Sequence, residues 1–174
     1  ILLVGVNALS LAIADFARKH APVRFVDTNE SACRLARQEG FEALSKSALD
    51  DDVYNAAMEE GFRRALVMTP NEALNVLILR HSQAHFGASH AFRVLVKPSD
   101  AAQGTDPFSR RSIAFSPAFH LQEAIAALEA GAARISVFSG DELQDLHGVA
   151  LLAVRDFRLA GRLPCIQQAE SLLG

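Results

Sequence analysis

The chain has 174 residues, which is enough for one domain of ordinary size with a smaller unit attached to it. Half of the residues are hydrophobic and 21% are charged, a composition that is typical of soluble globular proteins and excludes a disordered chain. The net charge of −3 gives no basic surface for a phosphate backbone, so nucleic acid is not expected as a partner.

The first hundred residues alternate hydrophobic runs with segments of helical period, which predicts a doubly wound parallel sheet of the Rossmann-like α/β class. Residues 1–4 are continuously hydrophobic, as expected for a strand that is buried on both faces, and a helix is predicted over 8–19. Further strands are predicted at 23–26, 41–44, 65–68 and 92–96. Helices are expected to begin after Asn29 and at the acidic run 50–52.

The fourth predicted strand runs into the clearest helix start in the chain. Thr69 is expected to cap the helix, Pro70 to occupy its first position and Glu72 to complete a capping box. The helix that follows carries four successive hydrophobic residues at 76–79, which a single helix face cannot hold. We therefore expect this helix to be buried on more than one side, which favours a homodimer.

The second part of the chain is predicted to be a small α+β subdomain. Residues 97–110 contain Pro, Gly, Ser and Asp without a hydrophobic period and are predicted to form a linker, so that the first domain spans 1–96 and the subdomain 111–174. A helix from about Leu121 to Gly131 is expected there, with strands at 112–115, 134–138 and 149–154. Because a hydrophobic core of this size is only marginally stable by itself, the subdomain is expected to pack against the first domain or against another copy of the chain.

The expected ligand site lies beyond the carboxyl ends of the strands, where the strand order of a doubly wound sheet reverses. Four segments converge there. We expect the following residues to line the site: Gly5, Asn7, Ala8, Leu9, Asp27, Thr28, Asn29, Ser47, Ala48, Leu49, Thr69, Pro70 and Asn71.

The first of these segments is an altered form of the glycine-rich turn that binds dinucleotides, G-x-G-x-x-G. Gly5 supplies the tight turn, whereas Asn7 stands at the second glycine and fills space that a pyrophosphate would approach. Ser10 stands at the third glycine and is still small enough for close packing of helix on strand. The first helix keeps its amino end for a phosphate, so we expect the phosphate site to be narrowed but retained.

Asp27 follows Gly5 by 22 residues, the spacing at which such folds carry an acid for the ribose hydroxyls. Its carboxylate would also repel a 2′-phosphate and so disfavour NADP. The alternative is that Asp27 only caps the helix that begins after Asn29. The ribose interpretation is favoured by the spacing.

Other chemistries have weaker support. His81 and His85 stand one helical turn apart, as zinc ligands can, but no acid follows His81 as in a metalloprotease, and solvated histidines are favoured. Cys33 and Cys165 lack metal-binding spacing, so no metal is predicted. With no recognisable nucleophile set or proton-transfer residue, the chain is not expected to be an enzyme.

The segments LLVGVN at 2–7, VDTN at 26–29 and LVMTPNEALN at 66–75 together resemble the RCK (TrkA-N) domain. More narrowly, they are similar to the cytosolic C-terminal region of bacterial NhaP-type sodium/proton antiporters. The resemblance covers residues 1 to about 96. Within it, the positions that match the pocket of the family are Gly5, Asn7, Asp27, Thr28, Ala48 and Thr69.

This resemblance implies a dimeric regulatory domain on the cytoplasmic face of the inner membrane, joined to a membrane-embedded transporter domain upstream in the same polypeptide. The absence of a start methionine before a core strand agrees with a piece of a longer protein. The domain would bind NAD(H) or an adenine nucleotide (AMP, ADP or ATP) and so control cation/proton or potassium transport. Two alternatives stay open, a structural dimerisation module with a vestigial, ligand-free pocket and, with less support, an NAD-dependent oxidoreductase.

Overall fold

The computed structural model describes residues 1–98, 112–115 and 118–135. Five parallel strands form one sheet in the order β3-β2-β1-β4-β5. The strands are β1 (Leu2–Val4), β2 (Arg24–Asp27), β3 (Glu42–Ser45), β4 (Ala65–Val67) and β5 (Ala91–Arg93). The helices are α1 (Ala8–Ala17), α2 (Glu30–Gln38), α3 (Asp51–Glu59), α4 (Glu72–Phe86) and α5 (Leu121–Glu129). The doubly wound parallel sheet predicted from the sequence is confirmed.

Two hydrophobic layers cover the two faces of the sheet. Alternate residues of a strand point to opposite faces, so Leu2 and Val4 pack on one side with α3 and α4, while Leu3 packs on the other with α1 and α2. All three β1 side chains are at most 2% exposed. The continuous hydrophobic run at the start of the chain is therefore the central strand, as a strand buried on both faces requires.

The start of α4 differs from the expected capping box. The cap is Asn71, whose side chain accepts a hydrogen bond from the Leu74 amide at 3.1 Å. Thr69 remains in the loop after β4, because its peptide group is held on both sides by the buried side chain of Asn75. The expectation that Thr69 caps the helix with Pro70 at its first position is wrong by two residues.

Residues after the predicted linker pack on the first domain. Arg93 pairs with Ile113 and Leu95 with His120 in isolated parallel bridges, and α5 contacts α1. By its contacts the chain divides between Ile135 and Ser136, which differs from the predicted division at 97–110. Residues 112–115 form a single bridge instead of the predicted strand. Of the strand predicted at 134–138, residues 134 and 135 are not in a strand, and the remainder lies outside the described residues, as does the strand predicted at 149–154.

The loop between β1 and α1 passes close to the end of β4, and this close approach depends on Gly5. Its φ of +98° is a conformation that side chains disfavour, and a Cβ built there would lie 2.7 Å from the Met68 carbonyl oxygen. The neighbouring atom is backbone and cannot swing away. The predicted tight turn is therefore confirmed, with a steric reason that only the fold supplies.

We expect Gly5→Ala to lower the free energy of unfolding by about 2 kcal/mol or more, because backbone strain and overlap with Met68 add together. Urea denaturation measures the change. Gly61→Ala is the matched control, since Gly61 has a φ of +90° but no atom within 4 Å of a Cβ, and it should cost only about 1 kcal/mol. Equal losses in the two variants would contradict the steric explanation.

Candidate functional site

The predicted segments meet at the carboxyl end of the sheet, beside the switch point between β1 and β4. Two side-chain bonds join them. Asp27 at the end of β2 bonds to the β1–α1 loop, and Asn7 in that loop bonds to the end of β4. The segment after β3 lies next to them, since Asp27 pairs in register with Ser45. The fold thus brings these four segments together at one end of the sheet, and their role in binding a ligand stays a prediction.

Asp27 bonds in two directions. Its Oδ2 atom accepts a hydrogen bond from the Val6 amide at 2.8 Å, and its Oδ1 atom accepts one from the Asn29 amide at 2.9 Å. The carboxylate is therefore aimed across to the glycine turn and also caps its own loop. Each oxygen keeps a second lone pair, and the side chain is half-buried, so ribose hydroxyls could still donate to it.

Asn7 is the N-cap of α1. Its Oδ1 atom accepts from the Ser10 amide at 3.0 Å, while Ser10 Oγ accepts from the Asn7 amide at 2.8 Å, which makes a reciprocal capping box. The side-chain nitrogen of Asn7, Nδ2, also donates to the Met68 carbonyl oxygen at 2.9 Å. Asn7 and Ser10, which stand where the fingerprint has glycines, therefore cap the helix together, and Asn7 also links it to the end of β4.

The amino end of α1 retains donors for an anion. Among the described residues, no hydrogen bond is formed by the amides of Ala8 and Leu9, the first two of the helix. The Val6, Asn7 and Ser10 amides are already satisfied by side chains. The donors that this helix end could offer to an anion are therefore two amides and the helix dipole.

The loops after β2 and β3 are more exposed than the turn. Thr28 is exposed, and Asn29 caps α2 by accepting from the Ser31 and Ala32 amides. Ala48 is buried, whereas Ser47 is exposed and Leu49 is 42% exposed. The side chains of Ser47 and Asn29 serve the backbone of their own loops.

Cys33, in α2, bonds to the end of β2 and to the neighbouring strand β3. Its thiol donates to the carbonyls of Asp27 and Leu44, both at 3.4 Å. Burial raises the pKa of the Cys33 thiol, and the nearby Asp27 carboxylate raises it further. The thiol is buried and packs in the hydrophobic layer that contains α2.

A cleft of 360 Å³ opens beyond the ends of β4 and β5. It is lined by Pro70, Asn71, Glu72, Ala73, Val96, Lys97 and Gln122. Pro70 and Asn71 were predicted for the site, but the other lining residues were not. Neither Gly5 nor Asp27 lines it.

The profile of the TrkA-N domain family matches residues 1–104. The chain belongs to the TrkA-N domain family. No curated protein matches it in sequence. The matched range includes all five strands and every residue predicted for the site. The predicted TrkA-N resemblance is confirmed, while the narrower likeness to NhaP-type antiporters stays a prediction.

Two solved structures share the fold of this TrkA-N domain. One is the NAD(P)-binding domain of an exopolyphosphatase-related protein from Archaeoglobus fulgidus, with a TM-score of 0.53, 17% identity and coverage of 83% of this chain and 98% of that one. The other is the TrkA-N domain of the inner membrane protein ybaL from Escherichia coli, with a TM-score of 0.53, 15% identity and coverage of 76% and 95%. At these identities the likeness establishes the fold alone.

Helix length adds one fact about the TrkA-N domain. Within residues 1–98, 112–115 and 118–135, none of the helices combines the length and the hydrophobicity that crossing a bilayer requires.

Glu72, which lines the cleft, belongs to a buried ion pair that the sequence did not reveal. Glu72 and Arg93 bond directly, with side chains 7% and 1% exposed, and Glu72 Oε2 also accepts from the Val96 amide at 3.4 Å. The pair links the first turn of α4 to the end of β5. Its residues are 21 positions apart, so no local pattern could have connected them.

We expect Glu72→Gln to lower the free energy of unfolding by about 3 kcal/mol, because it removes one partner and leaves the Arg93 charge buried. Chemical denaturation at pH 7 measures the loss. Asp15→Asn is the control, since it breaks the exposed Asp15–Arg18 pair and should cost less than about 1 kcal/mol. A loss for Glu72→Gln no larger than for Asp15→Asn would contradict this role.

Proposed function

We propose that this TrkA-N domain is a regulatory nucleotide sensor that binds NAD(H) or an adenine nucleotide and controls a cation/proton antiporter or related potassium transport protein. The transporter would be a membrane-embedded part of the same polypeptide, which would place the domain at the cytoplasmic face of the inner membrane. The proposal rests above all on one arrangement: the Asp27 carboxylate facing the amino end of α1 across the glycine turn.

The arrangement suits an adenosine phosphate. The amides of Ala8 and Leu9 and the dipole of α1 would receive a phosphate, while the ribose hydroxyls would donate to the remaining lone pairs of Asp27. The same carboxylate would repel a 2′-phosphate, so we propose NAD(H) over NADP(H). The cleft at Pro70 and Val96 offers room for a second moiety of a dinucleotide.

Sensing requires that the ligand distinguish two arrangements of the domain. The loop after β1 touches the ends of both neighbouring strands, through Asn7 to Met68 and through Val6 to Asp27. A ligand held by Asp27 and α1 would change the balance of these bonds. The relation of the Escherichia coli structure to an inner membrane protein supports a membrane context.

We propose a binding role without catalysis. The polar side chains nearest the turn, those of Asn7, Asp27 and Thr69, each bond to backbone groups and thereby hold the loops in place. Such residues position a ligand and supply no nucleophile or hydride partner.

One observation favours a second candidate, a dimerisation module with a vestigial pocket. Both Asp27 oxygens and both polar atoms of the Asn7 side chain already have partners inside the chain. A domain that satisfies its own ligand-binding groups can be stable without a ligand. Ligand binding therefore decides between the two candidates.

We expect NAD, NADH or one of AMP, ADP and ATP to stabilise the chain, by about 2.7 kcal/mol at 100 times its dissociation constant. Differential scanning calorimetry of the chain with each nucleotide measures the gain. Asp27→Asn should reduce it at equal ligand concentration, each variant being compared with its own ligand-free transition. NADP should stabilise less than NAD.

Asp15→Asn is the matched control, because it changes an exposed acid in the second half of α1 and should leave the gain unchanged. Stabilisation by none of the five nucleotides would favour the vestigial pocket. Stabilisation that survives unchanged in Asp27→Asn would place the nucleotide elsewhere and contradict the proposed site.

The proposal includes a homodimer, for which the outer face of α4 is the natural surface. Of the hydrophobic run 76–79, Ile78 and Leu79 are buried against the sheet, whereas Leu77 is 54% exposed. We expect light scattering at high concentration to give the mass of a dimer, and Leu77→Glu to shift it toward the monomer. Leu35→Glu alters a leucine of α2 that is 46% exposed and should not change the mass. A monomeric parent chain would contradict the dimer.

A further inference from the structure

Three side chains from two helices converge at the amino end of α3. His81 and His85 lie one turn apart on α4, and Asp51 is the first residue of α3. The Asp51 Oδ1 atom lies 2.9 Å from His85 Nε2 and 3.3 Å from His81 Nε2, and one ligand atom from each of the three residues lies within 4.8 Å of the others. We call these residues the α3–α4 cluster. Sequence reasoning favoured solvated histidines, but their side chains are only 24% and 17% exposed.

The separations suit a transition metal. Ligand atoms about 3.3 Å apart follow from tetrahedral coordination with bonds of about 2.0–2.1 Å, the geometry of zinc bound by imidazole and carboxylate. The distances from Asp51 to the two imidazoles are close to that value. All three ligand atoms lie within 4.8 Å of one another, a range that side-chain rotation can adjust to the separations of a metal site.

The two imidazoles are positioned by a buried aromatic ring. Tyr54 is fully buried, its ring stacks on His85 with centroids 4.8 Å apart, and it meets His81 edge-on at 5.1 Å. The tyrosine is itself fixed, because its hydroxyl donates to the Ala48 carbonyl at 2.8 Å and lies 2.9 Å from Ser82 Oγ. Ligands that are held by their surroundings lose little freedom on binding an ion.

An ordinary polar contact accounts for only part of this arrangement. A hydrogen bond between His85 and Asp51 would use one histidine. The His81 Nε2 atom is solvent-inaccessible and forms no hydrogen bond in the described part of the chain, although it lies 3.3 Å from the same carboxylate oxygen. A buried ring nitrogen without a hydrogen bond is costly, and a coordinated cation would satisfy it.

We propose that Asp51, His81 and His85 form a binding site for a divalent first-row transition metal of the zinc class. Two imidazoles and one carboxylate select such metals over calcium and magnesium, which prefer oxygen ligands. Asp51 is 70% exposed, so the fourth coordination position faces solvent and accepts water or a further ligand. The three proposed ligands are not among the residues of the proposed nucleotide site, and the metal proposal does not depend on that site.

The test is a titration of the untagged 174-residue chain, stripped of metal with a chelator, with Zn²⁺ by calorimetry and with Co²⁺ by visible absorption. One metal ion per chain is expected, with the d–d absorption of Co²⁺ bound by nitrogen and oxygen. His85→Gln and Asp51→Asn should each weaken binding by at least about 10-fold, since changes outside the ligand set already cost roughly 10–100-fold.

His90→Gln and Asp52→Asn are the matched controls, because they alter a nearby histidine and the neighbouring acid without touching the α3–α4 cluster. Circular dichroism of each variant without metal verifies its fold. If a histidine variant unfolds, Asp51→Asn still tests the site, because Asp51 is exposed and its substitution is not expected to unfold the chain. Absence of binding would overturn the proposal, as would binding that Asp51→Asn leaves unchanged or that the control variants weaken equally.

Discussion

The whole carboxyl end of the sheet depends on the close approach of the first loop to the end of β4. Gly5 permits it because no Cβ intrudes on the Met68 carbonyl, and Asn7 uses the same carbonyl as a hydrogen-bond acceptor. The approach fixes the direction in which α1 leaves the sheet and so fixes the position of its amino end. A glycine and an asparagine two residues apart thereby determine where an anion could lie.

Substitution of the second and third fingerprint glycines has a coherent structural outcome. In the dinucleotide fingerprint the second glycine leaves room for the backbone to approach a pyrophosphate. Here Asn7 and Ser10 cap each other's backbone amides, which stabilises the helix but removes two donors from a ligand. The Asn7 and Ser10 amides therefore stabilise the helix end and are not available to an anion. The nucleotide proposal concerns the two amides that remain, those of Ala8 and Leu9.

The sequence predicted what depends on local pattern. The five strands and the positions of Gly5 and Asp27 at the carboxyl ends of β1 and β2 follow from hydrophobic runs and spacing, whereas the family was predicted from the resemblance of short motifs to the TrkA-N domain. It did not predict contacts between distant residues: Asn75 holds Thr69 and moves the helix cap to Asn71, and Glu72 is buried against Arg93. Likewise, Asp51 meets His85 across 34 residues only because α3 and α4 pack side by side, and no periodicity encodes that pairing.

The bond between Asp27 and the Val6 amide carries a thermodynamic consequence. A hydroxyl that approaches this carboxylate must share it with, or displace, a donor that is already present. In the proposed site each ribose hydroxyl would exchange a hydrogen bond to water for one to a carboxylate oxygen that already accepts from an amide, and the net gain from each such exchange is small. Under the proposed function, such a pocket would bind its ligand weakly and reversibly, so that the bound fraction would follow the ambient ligand concentration.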